Sequence, residues 1–487
     1  MTRRDPAVAV VGAGMSGLCV AIALLRSGIT DVAIFEKADE VGGTWRDNTY
    51  PGLTCDIPSR VYQYTFATNP NWTHLFSPGR EIQDYFRAIA DRFGLRDRIR
   101  FGTEITDARF ENGRWSLRTA TGGEHAADFL ITATGVLHHP RMPSIAGLDD
   151  FGGHVFHSAR WDHSVELRGR RIAIVGNGST GVQLVCGLAG VAGRVMLFQR
   201  TAQWVLKLPN PRYTRFTGLS RNRFPWLDRM AYRGYSVVFD LFAVGLTKPG
   251  ARRKIMAALC RASLREVRDP GLRRALTPDY TPMCKRLVMS SGFYRAMQRD
   301  DVDLVTAGID HVERRGIVTD DGVLHDVDVI VLATGFDTHA FFRPMRLTGR
   351  DGIAADDVWR DGPRAYQTVA MPGFPNFFMM LGPHSPVGNL ALTTVAESQA
   401  EHILGWIQRW RRGEFDTVEP TPSATDSYNA GLRAAMPNTV WTTGCDSWYL
   451  NKDGVPEVWP FTPAAHRAML ADTDPRQYDL RRSAPMP

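Results

Sequence analysis

The chain has 487 residues, enough for two or three domains with substantial cores, and 44% hydrophobic against 22% charged residues excludes an extensively disordered protein. No cleavable leader precedes the apolar run Ala7–Val11, and no apolar run reaches the roughly 18 residues that span a bilayer, so a cytoplasmic protein is expected. The formal net charge of +7 is uneven: residues 200–286 hold 19 Lys/Arg against 5 Asp/Glu, a surplus of 14 that leaves the remainder about 7 units acidic.

Ala7–Val11 reads as a short buried strand and leads directly into Gly12-Ala13-Gly14-Met15-Ser16-Gly17. A helix-forming stretch, Leu18 to Leu25, follows, and then a second strand from Asp31 that ends in Glu36. Strand, glycine turn, helix and terminal acid together mark a dinucleotide site. Gly12 allows the tight turn, Gly14 lets a pyrophosphate approach the backbone, and Gly17 lets helix and strand pack closely. Glu36 stands where a carboxylate accepts hydrogen bonds from ribose hydroxyls. Gly42-Gly43-Thr44-Trp45 through Tyr50-Pro51-Gly52 to Asp56 then combines small residues, aromatics and an acid that could face a flat ligand. Its spacing alone favours a surface loop with a Pro-Gly turn.

Phe129 to Gly135 and Val329 to Gly335 are both apolar strands running into Ala-Thr-Gly. Arg171–Val175 leads into a second fingerprint, Gly176-Asn177-Gly178-Ser179-Thr180-Gly181, so the nucleotide-binding unit is duplicated. Glu36 lies 24 residues after Gly12, and Arg200 lies 24 after Gly176. Equivalent strand ends therefore carry opposite charges. An acid suits the free ribose hydroxyls of FAD, whereas Arg200, with the Thr201 hydroxyl beside it, suits the 2′-phosphate of NADP. Between the two units lies Phe151-Gly152-Gly153-His154-Val155-Phe156-His157-Ser158-Ala159-Arg160-Trp161-Asp162, which reads as a joint.

On these residues the chain resembles the type I Baeyer–Villiger monooxygenases, within the wider flavin-containing monooxygenase class. Phe151, Gly153, His157, Trp161 and Asp162 match that family's F-x-G-x-x-x-H-x-x-x-W-(P/D) signature. Gly43, Trp45, Tyr50, Pro51, Gly52 and Asp56 match its second motif. In relatives that oxygenate nitrogen or sulfur, the position of Trp161 is more usually Tyr or Phe. The resemblance implies an α/β protein with two Rossmann-like dinucleotide-binding domains, for FAD and NADP, and a helical insertion in the NADP domain. The expected divisions are 1–150 and 340–487 for the FAD domain, 151–339 for the NADP domain, and about 203–282 for the insertion.

The insertion is basic, aromatic and helix-forming. It can pack on the core and cover the substrate site, or lie on a membrane surface through its basic and aromatic faces. No nucleic-acid module accompanies the charge. Immediately after it, Cys284-Lys285-Arg286 resembles the family's Lys-Arg segment. By that resemblance Arg286 is the catalytic arginine, with Asp56 near it, and Lys285 is a second 2′-phosphate ligand. Gly382-Pro383 resembles a flavin-side turn, and Trp448 a contact to the nicotinamide cofactor, although Asn451-Lys452-Asp453 departs from the pattern that follows it in longer members.

The implied reaction uses FAD, NADPH and O2 to insert one oxygen atom next to the carbonyl of a small apolar ketone, through a flavin C4a-peroxide. Alternatives are N- or S-oxygenation by the same cofactor, or a flavoprotein that does not oxygenate. His157 is expected to be a hydrogen-bonded structural residue and Trp161 a packing residue. No metal is expected, since no His/Cys/Asp cluster has ligand spacing. The six cysteines are far apart without a Cys-x-x-Cys pair, so neither a disulfide framework nor a thiol couple is expected, and a reducing compartment fits.

Overall fold

A computed structural model of the chain describes residues 4–214, 226–388 and 391–482. The first sheet has the order Phe377–Met379, Phe129–Thr132, Val8–Val11, Val32–Phe35, Ile99–Arg100, and all its pairings are parallel. Every residue of Val8–Val11 and Phe129–Thr132 is buried. This explains why these strands are continuous apolar runs rather than alternating ones: helices and loops cover both faces of a parallel sheet. Val10 pairs with Ile34 on one side and Ile131 on the other. Phe378 pairs with Ile131 from nearly 250 residues downstream, so the chain returns to its first sheet after building the second.

The second sheet has the order Val302–Val305, Arg194–Phe198, Arg171–Val175, Val329–Leu332, His154–His157, again parallel. His154–His157 is its edge strand, with Phe156 opposite Val331. The joint is thus woven into the second unit. An added Cβ at Gly153 would lie 2.3 Å from the Asp328 carbonyl oxygen, which accounts for a glycine at that position.

Helices Trp226–Thr247, Ala251–Leu264 and Pro270–Ala275 lie between the strands of the second unit, and residues 215–225 of the expected insertion fall outside the described residues. Asp269 caps the third helix by accepting from the Leu272 N–H at 2.6 Å, with Pro270 at the first helical position. Ala251–Leu264 turns Ala257, Cys260 and Leu264 inward, spaced three and four apart as one helix face requires. The insertion also reaches the first unit, where the Tyr232 hydroxyl lies 3.1 Å from the Thr394 hydroxyl. Arg253 ties it to a later segment by donating to the Asn438 carbonyl at 2.9 Å.

One expectation fails. Cys284 and Cys445 form a disulfide, with Cα atoms 6.1 Å apart and a sequence separation of 161. A local spacing rule sees only short-range pairs, whereas the fold brings these two together. Cys19, Cys55, Cys186 and Cys260 are free. Among the described residues, no helix is long and apolar enough to cross a membrane, and no group of three or more His, Cys, Asp or Glu could hold a metal ion.

Candidate active site

The two glycine turns open on one cavity of about 450 Å³. Gly12, Gly14, Glu36, Gly43, Thr44, Trp45 and Asp56 line it from the first unit, Gly178, Ser179 and Thr180 from the second, and Arg286 and Trp448 from later in the chain.

The duplication extends to single atoms. Gly12 has φ +108° and Gly176 φ +105°, a region that favours glycine. An added Cβ would lie 2.5 Å from the Ala133 oxygen in the first case and 2.6 Å from the Ala333 oxygen in the second. At Gly17 it would lie 1.9 Å from the Gly12 oxygen, and at Gly181 2.0 Å from the Gly176 oxygen. These glycines hold each helix against its strand. Gly14 instead faces Gly43: an added Cβ would stand 3.5 Å from the Gly43 Cα, so two bare backbones flank the cavity wall where a phosphate group needs close approach.

Glu36 is 5% exposed and already partnered. Its Oε2 accepts from the Ala13 N–H at 2.8 Å, and Oε1 accepts from the Ala38 N–H at 3.0 Å and Arg46 Nη1 at 3.1 Å. An ionised carboxylate has about four acceptor positions, so one remains on the Oε2 side for a ribose hydroxyl. Arg46, which sequence reasoning passed over, also pairs with Asp47 and lines the cavity. Its position ten residues from Glu36, across a turn, gave no periodic signal.

Arg286 and Asp56 meet across 230 positions. Arg286 Nε donates to Asp56 Oδ2 at 3.0 Å, and Nη2 donates to Oδ1 at 2.9 Å and Oδ2 at 2.8 Å. Nη1 donates to the Val387 carbonyl at 3.2 Å. The side chains keep 31% and 21% exposure, both toward the cavity they line. The Asp56 charge pushes the Arg286 pKa up, against the opposing effect of burial. The guanidinium is therefore a fixed cation, with part of its fork still open to the cavity.

Arg200 lies outside this cavity and pairs with Asp446 at 3.6 Å, both side chains close to 90% exposed. Lys285 lies over the Tyr280 ring at 4.9 Å, and burial lowers its pKa, with Asp446 and Arg200 both acting on it. Arg200, Lys285 and Asp446 thus form one small charged group at the end of the second unit. Thr201 follows Arg200, and its carbonyl is fixed by the Asn177 side chain at 2.8 Å. The disulfide joins the two segments that carry Lys285 and Asp446. Trp448, 37% exposed, lines the cavity and packs on the Tyr449 ring at 4.3 Å. Gly382 and Pro383 are buried behind the wall, where an added Cβ at Gly382 would stand 2.4 Å from the Thr368 oxygen; Leu381 lines the cavity beside them.

The residues of the joint support the wall. His157 Nδ1 accepts from the Ala159 N–H at 3.1 Å, which leaves Nε2 to donate to the Gly335 carbonyl at 3.1 Å. Burial lowers its pKa, so the neutral form that these two bonds require is favoured. Trp161 packs edge-on against Phe156 at 5.0 Å, and Asp162 accepts from the Ser164 N–H at 2.9 Å and its hydroxyl at 2.6 Å.

The second motif also serves as a contact between the units. The Tyr50 hydroxyl donates to Gln183 Oε1 at 2.9 Å. An added Cβ at Gly52 would lie 2.3 Å from the Gln183 oxygen, and one at Gly187 would lie 2.6 Å from the Pro51 carbonyl carbon. Backbone thus meets backbone between this loop and helix Ser179–Leu188.

Residues 5–345 match the family model for flavin-binding monooxygenase-like proteins. An uncharacterised monooxygenase of Mycobacterium tuberculosis (strain ATCC 25618 / H37Rv) is 75% identical over 99% of this chain and 98% of its own. A Baeyer–Villiger monooxygenase of Streptomyces coelicolor is 37% identical over 98% of this chain and 93% of its own. Among solved structures, an oxidised steroid monooxygenase bound to NADP superposes with a TM-score of 0.88 at 31% identity, covering 98% of this chain and all of that one. Cyclohexanone monooxygenase from Rhodococcus bound to NADP+ does so at 0.87 and 29%, covering 98% and 99%. With its two glycine turns, its paired Arg286 and Asp56 and these relatives along almost its whole length, the chain belongs to the flavin-binding monooxygenase-like family and, within it, to the Baeyer–Villiger type.

Proposed function

We propose that the protein binds FAD and NADPH and converts an apolar ketone, O2, NADPH and a proton into an ester or lactone, NADP+ and water. The Arg286–Asp56 pair facing the shared cavity is the observation that carries this reading. FAD, when bound and reduced by NADPH, supplies the activated oxygen.

Gly12, Gly14, Gly43 and Thr44 suit the pyrophosphate side of FAD, Glu36 its ribose, and Gly17 the packing behind it. Trp45, Asp56, Gly382 and Pro383 belong to the walls and backing of its ring end. Gly176, Gly178, Ser179, Thr180 and Gly181 suit the pyrophosphate of NADPH, Arg200, Thr201 and Lys285 its 2′-phosphate, and Trp448 its nicotinamide end. Arg286 holds a positive charge where negative charge collects on oxygen during the reaction. A guanidinium suits this task because it keeps its proton, and Asp56 strengthens that while fixing its plane. Leu53, Val387 and Leu392 give the cavity apolar walls that exclude water and fit an apolar ketone.

The test supplies the purified yellow protein with NADPH and a panel of ketones and thioethers in air and identifies the products by mass. Esters carrying one added oxygen are expected. Sulfoxides without any ester would overturn the ketone reading, and NADPH oxidation yielding only hydrogen peroxide would overturn oxygenation altogether.

A further inference from the structure

The two long helices of the insertion, Trp226–Thr247 and Ala251–Leu264, form a hairpin with an unusual outer surface. Among the described residues twelve large apolar side chains are exposed, and six belong to this one hairpin: Met230, Val237, Val238, Leu241, Ile255 and Leu259, each 45–60% exposed. Their spacing is not random. Met230, Val237, Val238 and Leu241 fall at intervals of seven, eight and eleven, which is one stripe of the first helix, and Ile255 and Leu259 are four apart on the second.

The inner face of the hairpin is accounted for. Ala243, Leu246, Ala257, Cys260 and Leu264 are buried, and Leu246 packs with Trp441 in the core of the second unit. The exposed stripe is therefore a second apolar face on elements that have already buried their first. Charge borders it. On the helix wheel Arg252 flanks Ile255 and Leu259 on one side, and Lys254, Arg261 and Arg265 flank them on the other, all four exposed. Residues 241–265 contain six Lys/Arg and no Asp or Glu.

An apolar stripe that, among the described residues of its second helix, is edged by cations matches the boundary of an anionic lipid surface, where apolar side chains enter the acyl region and cations meet the headgroups. A second copy of the chain fits poorly, because stripe-to-stripe contact would bring cationic edges together. We propose that the exposed face of this hairpin docks the protein peripherally onto anionic membranes. The hairpin touches Thr394, two residues from Leu392 in the cavity wall, so docking brings the cavity close to the bilayer. An apolar ketone dissolved in lipid then reaches the cavity with a short path through water. That last consequence rests on the ketone reading; the docking does not, and the test reads docking alone.

Flavin-loaded full-length protein is sedimented with vesicles of phosphatidylcholine alone or mixed with phosphatidylglycerol, at low and raised salt. Binding to the mixed vesicles is expected, weakened by salt and much weaker on phosphatidylcholine alone. Val237→Asp with Leu241→Asp should abolish it. Arg252→Glu, Lys254→Glu and Arg261→Glu together should weaken it roughly five-fold or more per charge changed. Both variants should retain wild-type melting and NADPH oxidation, which separates lost docking from misfolding. No sedimentation with anionic vesicles overturns the proposal. So does binding unchanged by both variants, or a dimer in light scattering that vanishes with Val237→Asp while vesicles are ignored.

Discussion

Asp56 holds Arg286 with both carboxylate oxygens, at 2.8–3.0 Å, on a cavity wall shared by two nucleotide-binding units. The pair separates two steps that a single activity assay would merge. Arg286→Ala should leave reduction of the flavin by NADPH within about two-fold of wild type and lower ester formation by about a hundred-fold or more, the scale on which loss of one stabilising donor is felt. Stopped-flow absorbance of the flavin and product mass read the two steps. Asp56→Asn keeps the shape but removes the charge, so a smaller loss is expected. Equal activity in both variants and wild type would remove the assigned role.

Arg200 should decide between NADPH and NADH. The proposed contact of Arg200 with a 2′-phosphate would be worth about 1.5–3 kcal/mol, so Arg200→Ala should raise the KM for NADPH about 10- to 100-fold and leave that for NADH nearly unchanged. Asp446 occupies the same guanidinium at 3.6 Å in the structure. Asp446→Asn should therefore lower the KM for NADPH by a few-fold. Steady-state kinetics with both coenzymes check the pair of predictions.

The Cys284–Cys445 bond closes a loop of about 160 residues, and such a link limits the unfolded chain strongly. Cys445→Ser should lower stability by about 2–5 kcal/mol. Urea unfolding with and without a dithiol reductant reads it, and the reductant should shift wild type but not the variant. Thiol titration of the unfolded, unreduced protein should find four free cysteines per chain.

Acid should destabilise the fold through His402 and His466, which are 4% and 0% exposed and whose pKa values burial lowers to about 4. His402 Nε2 accepts from Trp406 Nε1 at 3.2 Å while Nδ1 faces the Leu470 carbonyl at 2.8 Å, so a second ring proton would point at a donor. The unfolded chain binds protons near pH 6.5 and the folded one only near 4, so stability is complete above pH 6.5 and falls as pH drops toward 4. At pH 5 the loss is about 2 kcal/mol for each histidine. Denaturant midpoints across that window check it, and His402→Gln should flatten the slope.

The elements legible in sequence were those whose chemistry is local. Gly12, Gly14 and Gly17 lie within six positions, and the matched 24-residue steps to Glu36 and Arg200 expose the duplication. Arg286 and Asp56 were legible only through resemblance, because nothing around either residue announces a partner 230 positions away. The disulfide was invisible for the same reason. Arg46 was missed because its partner Glu36 already looked complete as a ribose ligand. The return of Phe377–Met379 to the first sheet is a matter of topology, and three apolar residues carry no sign of which strand they will meet.

The contact of Pro51 and Gly52 with Gln183 and Gly187 bears on how the protein moves. Side chains can change rotamer and let two surfaces slide, but backbone pressed on backbone has nothing to give. A rotation of the second unit against the first would then pivot near this contact more readily than slide across it. Asp56 sits four residues from it on one side, and Ser179 and Thr180 lie one turn away on the other. Groups so near the pivot travel least.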